Sequence, residues 1–185
     1  MKVVPTAIDG VTVVEPRVFG DARGAFFESW SELRYANAGL PGRFVQDNVS
    51  RSSRGVLRGL HYQRPHGQGK LVSVVEGEIF DVAVDIRRDS PTFRQWVGVT
   101  LSAANQRQLY IPVGFAHGFQ AVSDTAIVLY KCTEYYDAAC ERSILWSDDE
   151  IAIPWALAPL LSDKDRDAPR LRDLHADELP TTADA

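Results

Sequence analysis

The sequence predicts an all-β fold in which antiparallel strands form a sandwich or a barrel. Short segments of alternating apolar and polar residues recur along most of the chain, and turn residues rather than long helices separate them. The alternation is clearest at residues 71–75 and 79–86, which flank a turn at Gly77. In the second segment, the two-residue period of a strand places four apolar side chains on one face: Phe80, Val82, Val84 and Ile86.

The same reasoning predicts the other elements. Residues 11–18 are predicted to form the first strand, and Ser29 and Glu32 form a capping box for a short helix near residues 30–38, which ends near Gly39. Further strands are predicted at residues 95–101, 108–112, 118–122 and 126–133. No repeat or linker divides the chain, so we expect one domain over residues 1–175 and a frayed tail at 176–185.

The composition is that of an ordinary globular domain, with 45% hydrophobic and 24% charged residues among 185. Two cysteines, Cys132 and Cys140, are too few for a disulfide framework and fit a reduced, cytoplasmic setting. No leader peptide is apparent, and no stretch approaches the about 18 to 20 apolar residues of a membrane-spanning helix. A net charge of −5 argues against general nucleic-acid binding, so we expect neither nucleic acid nor membrane as a partner.

Positive charge is nevertheless concentrated in one segment. Residues 48–75 contain no acidic side chain but hold seven basic ones, which indicates a local anion site: Arg51, Arg54, Arg58, His61, Arg64, His66 and Lys70. This segment belongs to a longer series of motifs, which are DARGAFFE (21–28), QDN (46–48), GVLRGLHYQ (55–63), QGKLV (68–72), DVAVDIR (81–87), IPVGFAHGF (111–119), YK (130–131), ERSILW (141–146) and LSDKD (161–165). In this order they resemble the dTDP-4-dehydrorhamnose 3,5-epimerases, a family with the cupin-like jelly-roll fold, over roughly residues 15–165.

The resemblance implies epimerisation beside a ketone, on a dTDP-linked 4-keto-6-deoxyhexose of the rhamnose pathway. The reaction needs a base, a proton donor on the opposite face of the sugar, and a cation at the keto oxygen. By resemblance, His61 is the base, Asp165 orients it and Tyr130 is the donor, although a strand histidine or an apolar-strand tyrosine is more often structural. Lys70 is the candidate for stabilising the enolate, against the commoner fate of a surface lysine.

Substrate binding is assigned in the same way. Arg23 and Arg58 are expected to hold the pyrophosphate, because the arginine fork matches phosphate oxygens. Further positions match substrate contacts of the family: Glu28, Gln46, Asp47, Asn48, His117, Glu141 and Lys164. Arg23 and Glu28 resemble residues that reach a neighbouring subunit's site, which implies a homodimer.

Three alternatives remain. A metal-dependent cupin would need paired histidines, but His61 and His66 are five residues apart, and an odd spacing puts strand side chains on opposite faces. We therefore expect no metal and no other cofactor. A non-catalytic sugar-nucleotide binding protein would have no need of the four catalytic candidates together. An enzyme that inverts only C3 or only C5 would share most of these motifs.

Overall fold

The computed structural model describes residues 1–184 and consists mainly of two antiparallel sheets packed face to face. The six-stranded sheet contains, in spatial order, β1 (Lys2–Pro5), β2 (Thr12–Glu15), β10 (Gln108–Ile111), β7 (Lys70–Glu76), β12 (Thr125–Cys132) and β5 (Gln46–Ser53). The five-stranded sheet contains β13 (Glu141–Ser143), β6 (Leu57–Gln63), β11 (Phe115–Ala121), β8 (Glu78–Asp85) and β9 (Trp96–Ser102). The hairpin of β3 (Val18–Asp21) and β4 (Gly24–Phe27) is separate from both sheets. The all-β prediction is confirmed.

Helix is limited to short pieces. They are α1 (Glu32–Asn37), α2 (Asp163–Arg166) and two single 3₁₀ turns, Leu171–Asp173 and Thr182–Asp184. No helix within residues 1–184 has the length and apolar character needed to cross a membrane.

The main core lies between the sheets, where alternation along each strand turns apolar side chains inward. Val72, Val74 and Val128 from the six-stranded sheet share one buried cluster with Ile79 and Phe119 from the five-stranded sheet. The outer face of the five-stranded sheet is covered as well, by residues that follow β13. All of β11 is therefore buried, and the four apolar residues predicted to share one face of β8 pack in this second cluster.

Two local predictions were wrong. The predicted first strand is broken at Pro16, which has no backbone N–H to donate, so that β2 ends at Glu15 and the hairpin begins at Val18. Helix α1 begins after Ser31, not Ser29, and the Ser31 side chain makes no capping hydrogen bond. The carbonyl of Ser29 instead accepts hydrogen bonds from the Tyr35 hydroxyl and the Gln108 amide.

The C-terminal segment differs from the frayed tail that the sequence predicts. Leu179 is buried in the outer cluster, and the carbonyl of Pro180 accepts a hydrogen bond from the Arg88 N–H. Asp184 forms an ion pair with Arg64 at 2.8 Å. Residues 176–184 therefore pack against the five-stranded sheet because they cover part of its apolar outer face; Ala185 lies outside the described residues.

Candidate active site

A cavity of about 300 Å³ opens between the two sheets and brings together seven of the predicted site residues. Its walls come from β5, β6, β7, β11, β12 and α2, and it is lined by Ser50, Arg58, His61, Lys70, His117, Phe119, Tyr130, Ser162, Lys164 and Asp165. A larger cavity of about 400 Å³ lies on the outer side of the five-stranded sheet, beside Tyr62 and Arg142, away from these groups.

A bulge in β6 turns both Arg58 and His61 toward the cavity. In a regular strand these residues, three apart, would lie on opposite faces. Here His61 is opposite His117 and Arg58 is opposite Phe119, so that three steps on β6 match two on β11. Gly59 occupies the bulge with φ +127°, and a Cβ there would come within 2.5 Å of the Gly118 Cα. A side chain at this position would therefore disrupt the alignment of both site residues.

His61 and Asp165 form a close pair at one wall of the cavity. The His61 Nε2 lies 2.6 Å from the Asp165 Oδ1, and Asp165 is only 4% exposed. Burial alone would raise the pKa of Asp165, but hydrogen bonds from His61 and Ser162 outweigh it and hold that pKa below its ordinary value. An ionised Asp165 accepts the Nε2–H, which leaves the Nδ1 lone pair of His61 free to take a proton.

A second histidine–carboxylate pair lies beside the first. His117 is the cross-strand neighbour of His61, and its Nε2 lies 2.7 Å from Oδ1 of the fully buried Asp81. The other oxygen of Asp81, Oδ2, is buried without a hydrogen-bond partner among residues 1–184. Each imidazole in the cavity is thus held by its own carboxylate.

Lys70 and Tyr130 reach the cavity from the six-stranded sheet. Burial lowers the pKa of the Lys70 ammonium, while Cys132, Asp81 and Glu141 act in the opposite direction. Burial also raises the pKa of the Tyr130 phenol, with a further contribution from Cys132. The phenol of Tyr130 therefore stays protonated at neutral pH. Lys70 is partly removed from solvent and lines the cavity, so the interpretation of it as an ordinary surface lysine is wrong.

The remaining cavity groups supply positive charge and an ion pair. The Nε of Arg58 donates a hydrogen bond of 3.2 Å to the Ser52 Oγ, which fixes the direction of its guanidinium. Lys164 pairs with Glu141 at 2.5 Å, and Glu141 also accepts a hydrogen bond of 3.1 Å from the Tyr136 hydroxyl. Burial works against ionisation of Glu141, but its hydrogen bond with Lys164 holds the pKa below the ordinary value.

The predicted substrate contacts on strand β5 lie on opposite faces of the strand. Gln46 and Asn48 share one of its faces and are joined by a hydrogen bond of 3.0 Å. Asp47 lies on the opposite face, exposed and paired with Lys131 at 2.9 Å, so the structure does not bring it to the cavity. The prediction of Asp47 as a site residue overlooked this alternation.

Neither Arg23 nor Glu28 lines the cavity of its own chain. Arg23 belongs to the exposed hairpin and pairs with Asp21 at 2.6 Å, with its side chain 90% exposed. Glu28 follows the hairpin and lies 3.6 Å from Arg34.

Three cavity residues were missed from the sequence. Ser162 could have been found, because Ser162 and Asp165 have the spacing of a reciprocal helix cap. Ser50, whose hydroxyl is buried without a partner among residues 1–184, and Phe119 carry no comparable local signal.

The structure offers no joint ligand set for His61 and His66. His66 lies in the loop after β6 with φ +61° and lines the other cavity. Within residues 1–184, no group of three or more histidine, cysteine, aspartate or glutamate side chains is arranged to hold a metal ion.

Residues 5–173 match the model of the dTDP-4-dehydrorhamnose 3,5-epimerase family. The chain belongs to this family. It is 59% identical to a dTDP-4-dehydrorhamnose 3,5-epimerase of Pseudomonas aeruginosa, over 90% of this chain and 93% of that protein. It is 42% identical to a dTDP-4-dehydrorhamnose 3-epimerase of Streptomyces niveus, over 99% of this chain and 90% of that protein.

A solved structure supports the same assignment at the level of the fold. It is a dTDP-6-deoxy-D-glucose-3,5-epimerase from Legionella pneumophila in complex with dTDP-4-keto-L-rhamnose, with a TM-score of 0.95 and 53% identity over 97% of each chain. The fold is therefore the cupin-like jelly-roll of this family, and the chain is an isomerase.

Proposed function

We propose that this protein epimerises dTDP-4-dehydro-6-deoxy-D-glucose at C3 and C5, giving dTDP-4-dehydro-L-rhamnose without a metal. One observation carries the proposal: the His61–Asp165 pair and Tyr130 line a single cavity from two different sheets. Both C3 and C5 are adjacent to the C4 ketone, so the same base and donor can serve each carbon in turn.

His61 removes the proton from carbon through its free Nδ1. The carboxylate of Asp165 on Nε2 holds the ring in this tautomer and stabilises the imidazolium that forms, as in the histidine–carboxylate pairs of acyl-transfer enzymes. General base catalysis of this kind contributes about 10²–10⁴-fold to the rate.

Lys70 stabilises the negative charge that develops on the C4 oxygen. A cation that is partly removed from solvent, as Lys70 is, interacts more strongly with an enolate than it would in bulk water. Asp81 and Glu141 favour the charged form of Lys70 and counteract the effect of its burial. Tyr130 then delivers a proton from the opposite wall, which its raised pKa keeps available at neutral pH.

The cationic groups at the cavity hold the nucleotide diphosphate. Arg58 offers the bidentate fork that phosphate oxygens prefer, and Lys164 adds a second positive charge. His117 contacts the substrate from its place beside His61, and Gln46, Asn48 and Glu141 are proposed as contacts at the mouth. Asp47 has no part in this assignment.

The functional unit is a homodimer in which Arg23 and Glu28 reach the partner's cavity. The hairpin that carries them exposes large apolar side chains, with Phe19 53% and Phe26 71% exposed. A cluster of exposed aromatic residues on a projecting hairpin is typical of a surface that another subunit covers.

Metal-free chemistry is supported by the side chains around the two cavity histidines, because Arg58, Lys70 and Lys164 are cations and cannot serve as metal ligands at neutral pH. Within residues 1–184, no group of three or more histidine, cysteine, aspartate or glutamate side chains is arranged to hold a metal ion. Epimerisation at C3 alone is the second candidate function, since the relative from Streptomyces niveus is named a 3-epimerase. The higher identity to a 3,5-epimerase favours inversion of both carbons.

Incubation with dTDP-4-dehydro-6-deoxy-D-glucose in deuterium oxide, followed by NMR, tests the proposal. We expect deuterium at both C3 and C5, together with inversion at both carbons. Exchange at one carbon only would assign a single-site epimerase. A complete lack of exchange by the folded protein would refute the proposal.

A further inference from the structure

Ser162 contacts the carboxylate of Asp165 on the side away from His61. Its hydroxyl donates a hydrogen bond of 2.7 Å to the Asp165 Oδ2, whereas His61 lies 2.6 Å from Oδ1. We infer that Ser162 is a positioning residue for the reaction, which orients Asp165 and thereby sets the basicity of His61. The inference rests on the proposed function, because it assigns His61 as the base.

The two side-chain contacts, together with a hydrogen bond from the backbone of Gly59, define the orientation of the carboxylate. Without the Ser162 hydroxyl, Oδ2 would lose its side-chain donor, and the carboxylate would be held less firmly about the bond between Cβ and Cγ. With Ser162 on Oδ2 and His61 on Oδ1, rotation breaks two charge-assisted hydrogen bonds at once. The direction in which Asp165 faces His61 is therefore fixed before the substrate binds.

The local sequence explains why a serine is suited to this position. Ser162 is the N-cap of α2, and its Oγ accepts a hydrogen bond of 3.2 Å from the Asp165 backbone N–H. The same hydroxyl thus accepts from the backbone of Asp165 and donates to its side chain. Because α2 has only four residues, it has little stability of its own, and these two bonds hold the turn and the carboxylate together.

Helix capping alone does not account for the arrangement. A cap requires only that the Ser162 oxygen accept a backbone hydrogen bond, and its proton could point to solvent. Here that proton is directed at a carboxylate only 4% exposed, and Ser162 itself lines the cavity. The hydrogen bond from Ser162 also contributes to the lowered pKa of Asp165.

The test compares Ser162→Ala and Ser162→Gly, which remove the hydroxyl, with Ser162→Thr, which retains it. Glycine is tolerated at an N-cap nearly as well as serine, so Ser162→Gly separates the carboxylate contact from capping. For both hydroxyl-free variants we expect kcat to fall on the order of 10-fold, with KM little changed. The acid limb of their pH–rate profiles should move to lower pH, because a carboxylate that is held less firmly stabilises the His61 imidazolium less. Ser162→Thr should retain the wild-type kcat and the wild-type pH profile.

Ser90→Ala is the matched control, since Ser90 donates a hydrogen bond of 2.6 Å to the buried Asp85 outside the cavity. It should reduce stability and leave kcat and the pH profile unchanged. An NMR titration of His61 in wild type and in Ser162→Ala measures the effect of the Ser162–Asp165 contact on the imidazole without requiring turnover. It therefore separates failure of this inference from failure of the proposed function. If the Ser162 variants lower only the melting temperature, and neither kcat nor the His61 titration moves, Ser162 is a helix cap and the inference is wrong.

Discussion

His61 and Tyr130 line the same cavity from facing sheets, His61 on β6 of the five-stranded sheet and Tyr130 on β12 of the six-stranded one. In the function proposed above, a sugar bound between them would present one face to the imidazole and the other to the phenol. This relationship is what inversion requires, because a proton returned by the group that removed it restores the original configuration. The two residues should therefore fail in different ways when each is replaced.

Replacement of His61 should abolish proton removal itself. We expect His61→Asn to lose about 10²–10⁴-fold in both solvent exchange and epimerisation, as measured by NMR in deuterium oxide, because no other group would take the proton. His175→Asn, at an exposed histidine, is the matched control and should retain full activity. Exchange that persists in His61→Asn would move the role of base to His117, its cross-strand neighbour.

Tyr130→Phe should separate exchange from inversion. The ring and its packing remain, but the donor is lost, so His61 can still remove a proton and return one from solvent to the same face. We expect inversion to fall much further than exchange when both are followed in one NMR experiment. Tyr62→Phe is the control, because the Tyr62 hydroxyl is buried on the other side of the sheet and has no hydrogen-bond partner among residues 1–184. Inversion by Tyr130→Phe at close to the wild-type rate would show that Tyr130 only packs in its strand.

The alternation of apolar and polar residues within single strands predicted which side chains of those strands are buried. The alternation in β8 predicted which four apolar side chains share a face, because burial acts on each strand separately. The same rule, applied to β5, would have placed Asp47 away from Gln46 and Asn48. It would also have separated Arg58 from His61, since only the bulge at Gly59 brings both to the cavity.

Longer-range features of the site could not be derived from such patterns. His61 and Asp165 are 104 positions apart, and only the resemblance to a family linked them before the structure did. The C-terminal segment contains few apolar residues and was expected to fray. Its order depends on an apolar surface supplied by the five-stranded sheet, which the segment's own composition does not reveal.

Chelation should leave the rate unchanged. His66 lines a different cavity from His61 and His117, and within residues 1–184 no group of three or more histidine, cysteine, aspartate or glutamate side chains is arranged to hold a metal ion. Activity after prolonged dialysis against EDTA should equal that of untreated enzyme measured in the same assay. Loss of activity that zinc, iron or manganese restores would overturn the metal-free mechanism.

Mixed dimers test whether Arg23 acts in the partner's cavity. Arg23→Ala and His61→Asn are each expected to be impaired as homodimers. If Arg23 crosses to the partner, a heterodimer of the two contains one intact site, so an equimolar mixture after subunit exchange should recover about a quarter of wild-type activity. Arg172→Ala, at an exposed arginine outside the hairpin, should behave as wild type. A mixture no more active than the separate variants would place Arg23 in the site of its own chain, or in none.

The contribution of Asp165 to the stability of the fold should be lost in acid. Its pKa in the folded protein lies below the ordinary value, so the ionised form is favoured by folding. The stabilisation is fully present above the pKa of the unfolded chain and is lost as the pH falls through the lower, folded value. At neutral pH, Asp165→Asn should be less stable than wild type by about 1–3 kcal/mol, because it weakens charge-assisted hydrogen bonds in a buried place.

The difference between the two proteins should therefore shrink as the pH falls below the ordinary carboxyl value of 3.8. Melting temperatures of both proteins, measured at intervals from neutral pH down to about pH 3, give this difference directly. Asp163→Asn provides the comparison, because Asp163 is in the same short helix but 91% exposed in its pair with Arg166, and an exposed pair contributes little. A gap between wild type and Asp165→Asn that stays constant over the whole range would mean that ionisation of Asp165 does not stabilise the fold.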